Sequence, residues 1–315
     1  MKTRNLILMS FLMIVFFSCQ KDETTTTTDE TALKSGAIVA GDITVESVLS
    51  EANYEAELFS QSERWLRALS KFKHGKKNLF EGKHSNRYAD GTFPEVSIDT
   101  AAAGYPITIL IDYGDSTVLH HGKTISGTVS IEITAAKNTD GAKRIITYNG
   151  CKIDSVTITG TEVELFNGDN ATTRKNTVTT DVSFVLDNGT KLARKGTAVH
   201  DWLEGLATQQ EHADDKIQKT GSVSVSSSDG NEWAKTIKDP LIRLGDCRNY
   251  VQGTVEYILN SNVVAVLDYG TGACDTTALL TVGDKQVEIS LAGKKAKSEN
   301  GFPWKGKSKG GKGHK

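Results

Sequence analysis

Four cysteines and seven histidines carry most of the nucleophilic and metal-ligating capacity of this 315-residue chain. A cysteine nucleophile needs a neighbouring base or cation to hold it as thiolate. None stands beside Cys151, which reads as a lone buried thiol. His74 and His84 lie ten residues apart in a Lys- and Gly-rich stretch, without the spacing of a zinc motif. His120 and His121 are adjacent in a turn or strand, where successive side chains point to opposite faces. His200-Asp201 and His212 with Asp214-Asp215 bracket residues 200–221, the least strand-like part of the second half. That segment reads as a polar loop, the usual carrier of contacts on a rigid sheet. Asp268 and Asp275 flank Gly270 and Gly272, but the alternating acids of a calcium loop are absent. No Gly-x-Ser-x-Gly, His-Glu-x-x-His or phosphate-loop pattern occurs. The sequence therefore assigns no catalytic residue, no metal ligand and no cofactor.

Two ends bracket these residues. Lys2 and Arg4 precede an apolar run, Leu6 to Phe17, of signal-peptide length. Phe16-Phe17-Ser18-Cys19 resembles a bacterial lipobox, with Phe16 where an aliphatic residue is usual. The resemblance implies removal of residues 1–18 and lipidation of Cys19. Each buried CH₂ contributes about 0.8 kcal/mol, so several acyl chains anchor stably. Gln20-Lys21-Asp22-Glu23 resembles the surface-export signal of lipoproteins in the Bacteroidetes and implies an outer-membrane, cell-surface location. Thr24 to Thr28 opens a polar stretch read as flexible tether to Gly41. The net charge of −2 hides +2 in residues 1–18 and +7 in 294–315, so the segment between carries −11. The basic tail suits an acidic polysaccharide or lipopolysaccharide. An acidic body with an extracellular address disfavours nucleic acid as a partner.

Between the ends the hydrophobic period changes once. Over residues 44–73, Val45, Val48, Leu49, Ala52, Phe59, Leu66, Leu69 and Phe72 recur at helical spacing, which predicts a packing helix. Residues 74–92 read as a basic exposed loop. From Ile107 onward apolar residues alternate with polar ones, and Asp140-Gly141, Asn149-Gly150, Asn167-Gly168, Asn188-Gly189 and Asp229-Gly230 supply hairpin-turn chemistry. Thirty-five Thr suit strands with one wet face. Ile111-Asp112-Tyr113-Gly114 is echoed by Leu267-Asp268-Tyr269-Gly270, and Gly127-Thr128-Val129 by Gly253-Thr254-Val255. The expected fold is mainly β: an extended antiparallel sheet or doubled β unit over residues 93–293, with an N-terminal α-helix within 42–92.

These repeated units resemble a set of Bacteroidetes lipoproteins of unassigned function, over about residues 107–291. The shared features are the two Asp-Tyr-Gly strand ends, Trp202 before Gly205, Pro240-Leu241, Cys247, the Gln252 to Val255 strand and Cys274-Asp275. No catalytic role comes with the resemblance. In an exported chain cysteines pair readily. If Gln252–Leu259 and Val263–Tyr269 form a hairpin, Cys247 and Cys274 meet at its outer end. Asp followed by Thr100, Ser116, Ser155 or Thr276 resembles the O-glycosylation acceptor of the same phylum. The expectation is a lipid-anchored surface protein with a non-enzymatic binding or structural role. A surface hydrolase and an accessory lipoprotein of an outer-membrane transporter are the alternatives.

Overall fold

The computed structural model describes residues 24–60 and 87–291, apart from 90, 91, 103, 121, 137, 138, 170, 209, 210 and 248. Cys19, Gln20, Lys21, Asp22, Glu23, His74, His84, His121, the far end of the expected helix and the basic tail lie outside them. Among the described residues no helix is long and apolar enough to cross a membrane.

Helix α1 spans Thr24–Ser60. It begins inside the stretch expected to be tether, and Ile38 and Val39 are already buried. The apolar stripe therefore starts earlier than the polar Thr run implied. Val45, Val48, Leu49, Ala52, Ala56 and Phe59 continue it. From Thr44 to Ser60 only Thr44, Ser47, Ser50, Tyr54 and Glu57 are exposed, a single line at spacings of three and four. A helix exposed along so narrow a line is covered on its other sides.

The cover is one antiparallel sheet of fourteen strands. They are β1 (Glu95–Thr100), β2 (Ile107–Asp112), β3 (Thr117–Val118), β4 (Thr124–Ile133), β5 (Lys143–Ile153), β6 (Val156–Gly168) and β7 (Arg174–Val185). There follow β8 (Lys191–Glu204), β9 (Lys216–Ser227), β10 (Glu232–Leu244), β11 (Gln252–Leu259), β12 (Asn262–Thr271), β13 (Thr277–Val282) and β14 (Lys285–Ser290). Apart from β3, which adds only to β4, each strand pairs with its neighbour in the chain. Short polar turns make this meander the least costly topology in loop closure.

The sheet curls around the helix. Asp42 reaches Tyr257 on β11, and Glu55 reaches Tyr113 just past β2. These two helix positions are about 20 Å apart along the axis. A flat sheet would separate β2 from β11 by eight spacings, about 38 Å. Gly160 in β6 and Gly221 in β9 permit the bend. Both have positive φ (116° and 138°), and a Cβ there would sit 2.3 Å from Asp181 O and 2.2 Å from Thr197 O. The concave face carries the core: Ile107, Ile109, Ile111, Ile131, Ile158, Val182, Phe184, Val255 and Leu280 are all nearly solvent-free. Each such side chain contributes about 1.5–3 kcal/mol.

Three expectations change. Asn149-Gly150 is not a hairpin turn but a register shift inside β5; the chain reverses at Asp154-Ser155 instead, with Asp154 at φ 53°. Half of residues 200–221 is strand, because β8 runs to Glu204 and β9 starts at Lys216; the loop is confined to 205–215. The internal echo is real in register but differently arranged. Asp112 on β2 faces Thr128 on β4, and Asp268 on β12 faces Thr254 on β11. In both, the Gly after Tyr donates its N–H to the Asp Oδ1 at 2.8 Å. The Asp-Tyr-Gly strand comes first in one pair and second in the other, which is the relation a two-fold axis through the sheet produces.

Candidate functional site

Helix α1 covers only the half of the concave face nearest the β7–β8, β9–β10 and β11–β12 turns, and it is held there by charge. Asp42 accepts from Arg194 on β8 (3.2 Å), Lys235 on β10 (3.0 Å) and Tyr257 (3.1 Å). Glu46 accepts from the same Arg194 (2.6 Å) and Lys235 (2.7 Å). Burial would raise the Glu46 pKa, but Lys235 and Arg194 outweigh it and hold the carboxyl well below its ordinary range. Lys235, although burial opposes its charge, is held protonated by Asp42 and Glu46. Further along, Glu51 meets Arg87 and Lys123, and Glu55 meets Arg87, Tyr88 and Tyr113. Asn53 donates to Glu162 on β6 (3.1 Å) and accepts from Tyr148 on β5 (2.5 Å). Buried charges in such balanced sets are tolerable because each has an opposite partner.

Beyond the helix the strands β6 to β10 continue, and their concave side chains form two cross-strand rows. One is Asn176, His200, Lys219 and Leu241; the other is Arg174, Trp202, Ile217 and Arg243. Small residues, Val178, Ala198 and Gly221, lie between these rows and the helix and remain half-buried. They form the floor of a groove. A cavity of about 270 Å³ adjoins it, lined by Arg243, Asn249, Tyr250, Tyr269 and Leu291.

The polar groups here are unevenly satisfied. Asn176 is buried; its Nδ2 donates to Glu164 (2.5 Å), while its Oδ1 has no partner. Trp202 Nε1 and Arg144 Nε are likewise buried donors without acceptors. Arg174 stacks 3.9 Å over the Trp202 ring, and Lys219 lies 5.9 Å over Tyr250. Neither cation, nor Arg243, has a carboxylate within ion-pair distance among the described residues, whereas Arg144 is paired with Glu164 at 2.8 Å. Burial and then Lys219 push the His200 pKa down to about 4, so its imidazole is neutral. Burial pushes Tyr269 up to about 12. The site thus presents three cations, neutral hydrogen-bonding groups and three aromatic rings, with the carboxylates of Glu164 and Asp215 acting on its Arg174 end.

A disulfide joins Cys247 to Cys274, with Cα atoms 5.6 Å apart. With the hydrogen bonds from Asn249 Nδ2 to Asp275 O (3.2 Å) and from Gly272 N to Val251 O (2.7 Å), it fixes the segment carrying Asn249 and Tyr250 against the end of β12. Tyr250 and Tyr269 meet edge to face at 5.5 Å. Of the residues singled out in sequence, Trp202, Leu241, Tyr269, Cys247 and Cys274 all come to this end of the sheet. His200 comes there from what was expected to be a loop. Lys219, Arg243, Asn176 and Tyr250 carry no sequence signal of the site: Asn176 opens a run read as strand, Lys219 and Arg243 lie in stretches too polar to read as strand, and Tyr250 lies in the loop before β11.

The other singled-out residues lie elsewhere. Asp201 points to the opposite face and pairs with Lys175 (2.9 Å). His212 meets Asp215 at 3.2 Å in the 205–215 loop. Asp268 and Asp275 each cap their own turn, on Gly270 N and Thr277 N. His120 is exposed. Among the described residues no three His, Cys, Asp or Glu side chains gather as a metal site. Cys151 is buried on β5, and burial followed by Glu55 pushes its thiol up to about 12. Ser116, Ser155 and Thr276 are exposed in turns, and Thr100 is half-buried at the end of β1.

Comparison of the chain with protein-family models, with curated proteins and with solved structures finds no match.

Proposed function

We propose that this chain is a lipid-anchored surface protein with a non-enzymatic binding role, and that the groove beside α1 is its binding site. The observation that carries the reading is the contrast between the two halves of the concave face. Where the helix lies, every cation has its carboxylate. In the groove, Arg174, Lys219 and Arg243 have none within ion-pair distance among the described residues, whereas buried polar atoms without partners occur in both halves, Asn176 Oδ1 and Trp202 Nε1 here and Arg194 Nε and Trp233 Nε1 under the helix. The distinguishing feature of the groove is therefore its three cations, whose charge is complementary to an anionic occupant. The acylated Cys19 and the acids that follow it would hold the groove outside the cell, ahead of a tether shorter than residues 19–41.

The part of the tryptophan fluorescence that is lost in Trp202→Phe reports on the groove, since the chain has four tryptophans. Small anions differing in shape (acetate, inorganic sulfate, succinate, galacturonate) are titrated into the detergent-solubilised full chain. A saturable change that disappears in the Lys219→Glu/Arg243→Glu variant supports the reading; no anion acting through these two residues refutes it. Membrane fractionation of Cys19→Ala tests the anchor, with release into the soluble fraction expected.

A further inference from the structure

We infer that the cavity of Arg243, Asn249, Tyr250 and Tyr269 takes the carboxylated ring of an acidic sugar, with the groove receiving the neighbouring residues of the same glycan. The inference rests on the groove being the binding site and adds the chemical class of its occupant.

Size limits the occupant first. About 270 Å³ lies just under the ~300 Å³ lower end of small-molecule pockets, enough for one six-membered ring. The lining then selects its chemistry. Arg243 is exposed and without a carboxylate among the described residues. Its planar guanidinium matches a carboxylate through two parallel hydrogen bonds, which a Lys ammonium does not. Asn249 spends its Nδ2 on Asp275 O, so its Oδ1 is left to accept from a hydroxyl. Tyr250 and Tyr269 supply ring faces for apolar C–H edges and phenolic hydroxyls for donors. Burial keeps the Tyr269 hydroxyl protonated, so it adds no negative charge. A purely apolar acid would leave Asn249 and both phenols unmatched. A neutral sugar would leave Arg243 unmatched.

The groove extends the argument beyond one ring. Arg243 and Arg174 end one cross-strand row, with Ile217 and Trp202 between them. They are separated by three strand spacings, about 14 Å. Lys219 stands in the adjacent row. An occupant with repeated negative charges and hydroxyls along its length meets Arg243, Lys219 and Arg174 in turn, while the neutral His200 between Asn176 and Lys219 offers a hydrogen bond without competing charge. Backbone strands set these distances, so the recognition is built on rigid elements.

The test is isothermal titration of the detergent-solubilised full chain with trigalacturonate, neutral galactotriose, inorganic sulfate and a hexaglutamate peptide. Trigalacturonate is expected to bind at least tenfold tighter than each of the others. Arg243→Gln is expected to weaken it at least tenfold, equivalent to about 1.4 kcal/mol. Arg243 is exposed and makes no ion pair among the described residues, so this variant is expected to fold. Tyr250→Ala is expected to reduce binding as well, and deletion of residues 294–315 to leave it unchanged, which separates the cavity from the basic tail. Equal binding of galactotriose, sulfate or hexaglutamate, or an unaltered affinity in Arg243→Gln, overturns the assignment to an acidic sugar. If sulfate or the peptide still depends on Lys219 and Arg243, the groove stands as a binding site and only the class of occupant falls. If nothing depends on them, both fall.

Discussion

Removing the Lys235 charge should break the lock between α1 and the sheet. Its Nζ bonds both Asp42 (3.0 Å) and Glu46 (2.7 Å), and the Asp42 side chain is only 1% exposed. With Arg194 these residues form a set of two cations and two anions. Lys235→Met keeps the length of the stem but leaves one buried negative charge in excess. Losing one partner of a buried pair costs about 3–5 kcal/mol, most of it the penalty on the charge left behind. Adding Asp42→Asn restores neutrality and keeps an acceptor for Tyr257. The double variant should therefore lie within about 1–2 kcal/mol of wild type, giving a coupling of about 2 kcal/mol. In urea, with a slope of about 3 kcal/mol/M, Lys235→Met should move the midpoint down by about 1 M and the double variant should regain more than half of that. A cost below 1 kcal/mol for Lys235→Met, or single effects that simply add, refutes the view that this charge set fixes the helix.

Acid should act on His200 in a window of its own. Its folded pKa of about 4 lies below its ordinary 6.5, so the unfolded chain binds the proton first and stability falls as pH drops from 6.5 to 4. Burial, then Lys219 and Arg243, enforce this, Glu164 opposes it, and the loss is at most about 3 kcal/mol at 1.36 kcal/mol per pKa unit. Glu46 acts only below its ordinary 4.5, since its folded pKa is lowered. His200→Gln should flatten the dependence of unfolding free energy between pH 6.5 and 4.5; an unchanged slope counts against a buried neutral imidazole. Gly221→Ala should cost above 3 kcal/mol, since its Cβ meets Thr197 O at 2.2 Å, whereas Gly230→Ala, also at positive φ but in open space, should cost about 1–2 kcal/mol. Comparable thermal shifts for the two would refute the close approach as the cause of the bend. Cys247→Ser/Cys274→Ser should leave the far core of Ile107, Ile109 and Ile131 protected from hydrogen exchange while the amides of Asn249 and Tyr250 exchange faster, as expected if the bond braces the cavity wall.

The β class, the helix and most turn positions were legible because alternation and Asn-Gly or Asp-Gly pairs are local signals. The groove was not. His200, Lys219 and Arg243 sit on concave positions of long strands, yet they read as polar breaks, because period-two patterning reports a strand only while one face is apolar. Where the concave face opens to solvent, both faces become polar and the strand looks like a loop. Asn149-Gly150 failed for the opposite reason: its turn chemistry serves a register shift within β5, and the reversal falls on Asp154-Ser155, whose αL residue is an Asp. The partners of Asp42, Glu46, Glu51 and Glu55 were beyond reach because each is set by the curl of the whole sheet.

The two related units explain why one end of the sheet is closed and the other open. Tyr113 and Tyr269 follow equivalent Asp residues on strands in equivalent register. A single helix has no two-fold symmetry of its own, so it cannot treat them alike. Its C-terminal half brings Glu55 to Tyr113, whose buried hydroxyl bonds that carboxylate at 3.1 Å. Its N-terminal half brings Asp42 to Tyr257 instead, one strand short of Tyr269. Tyr269 is left to pack on Tyr250 at the rim of the cavity. The site proposed for ligand is thus the copy of the repeated unit that the helix acids do not hydrogen-bond, and Arg243 there, like Arg174, has no carboxylate within ion-pair distance among the described residues.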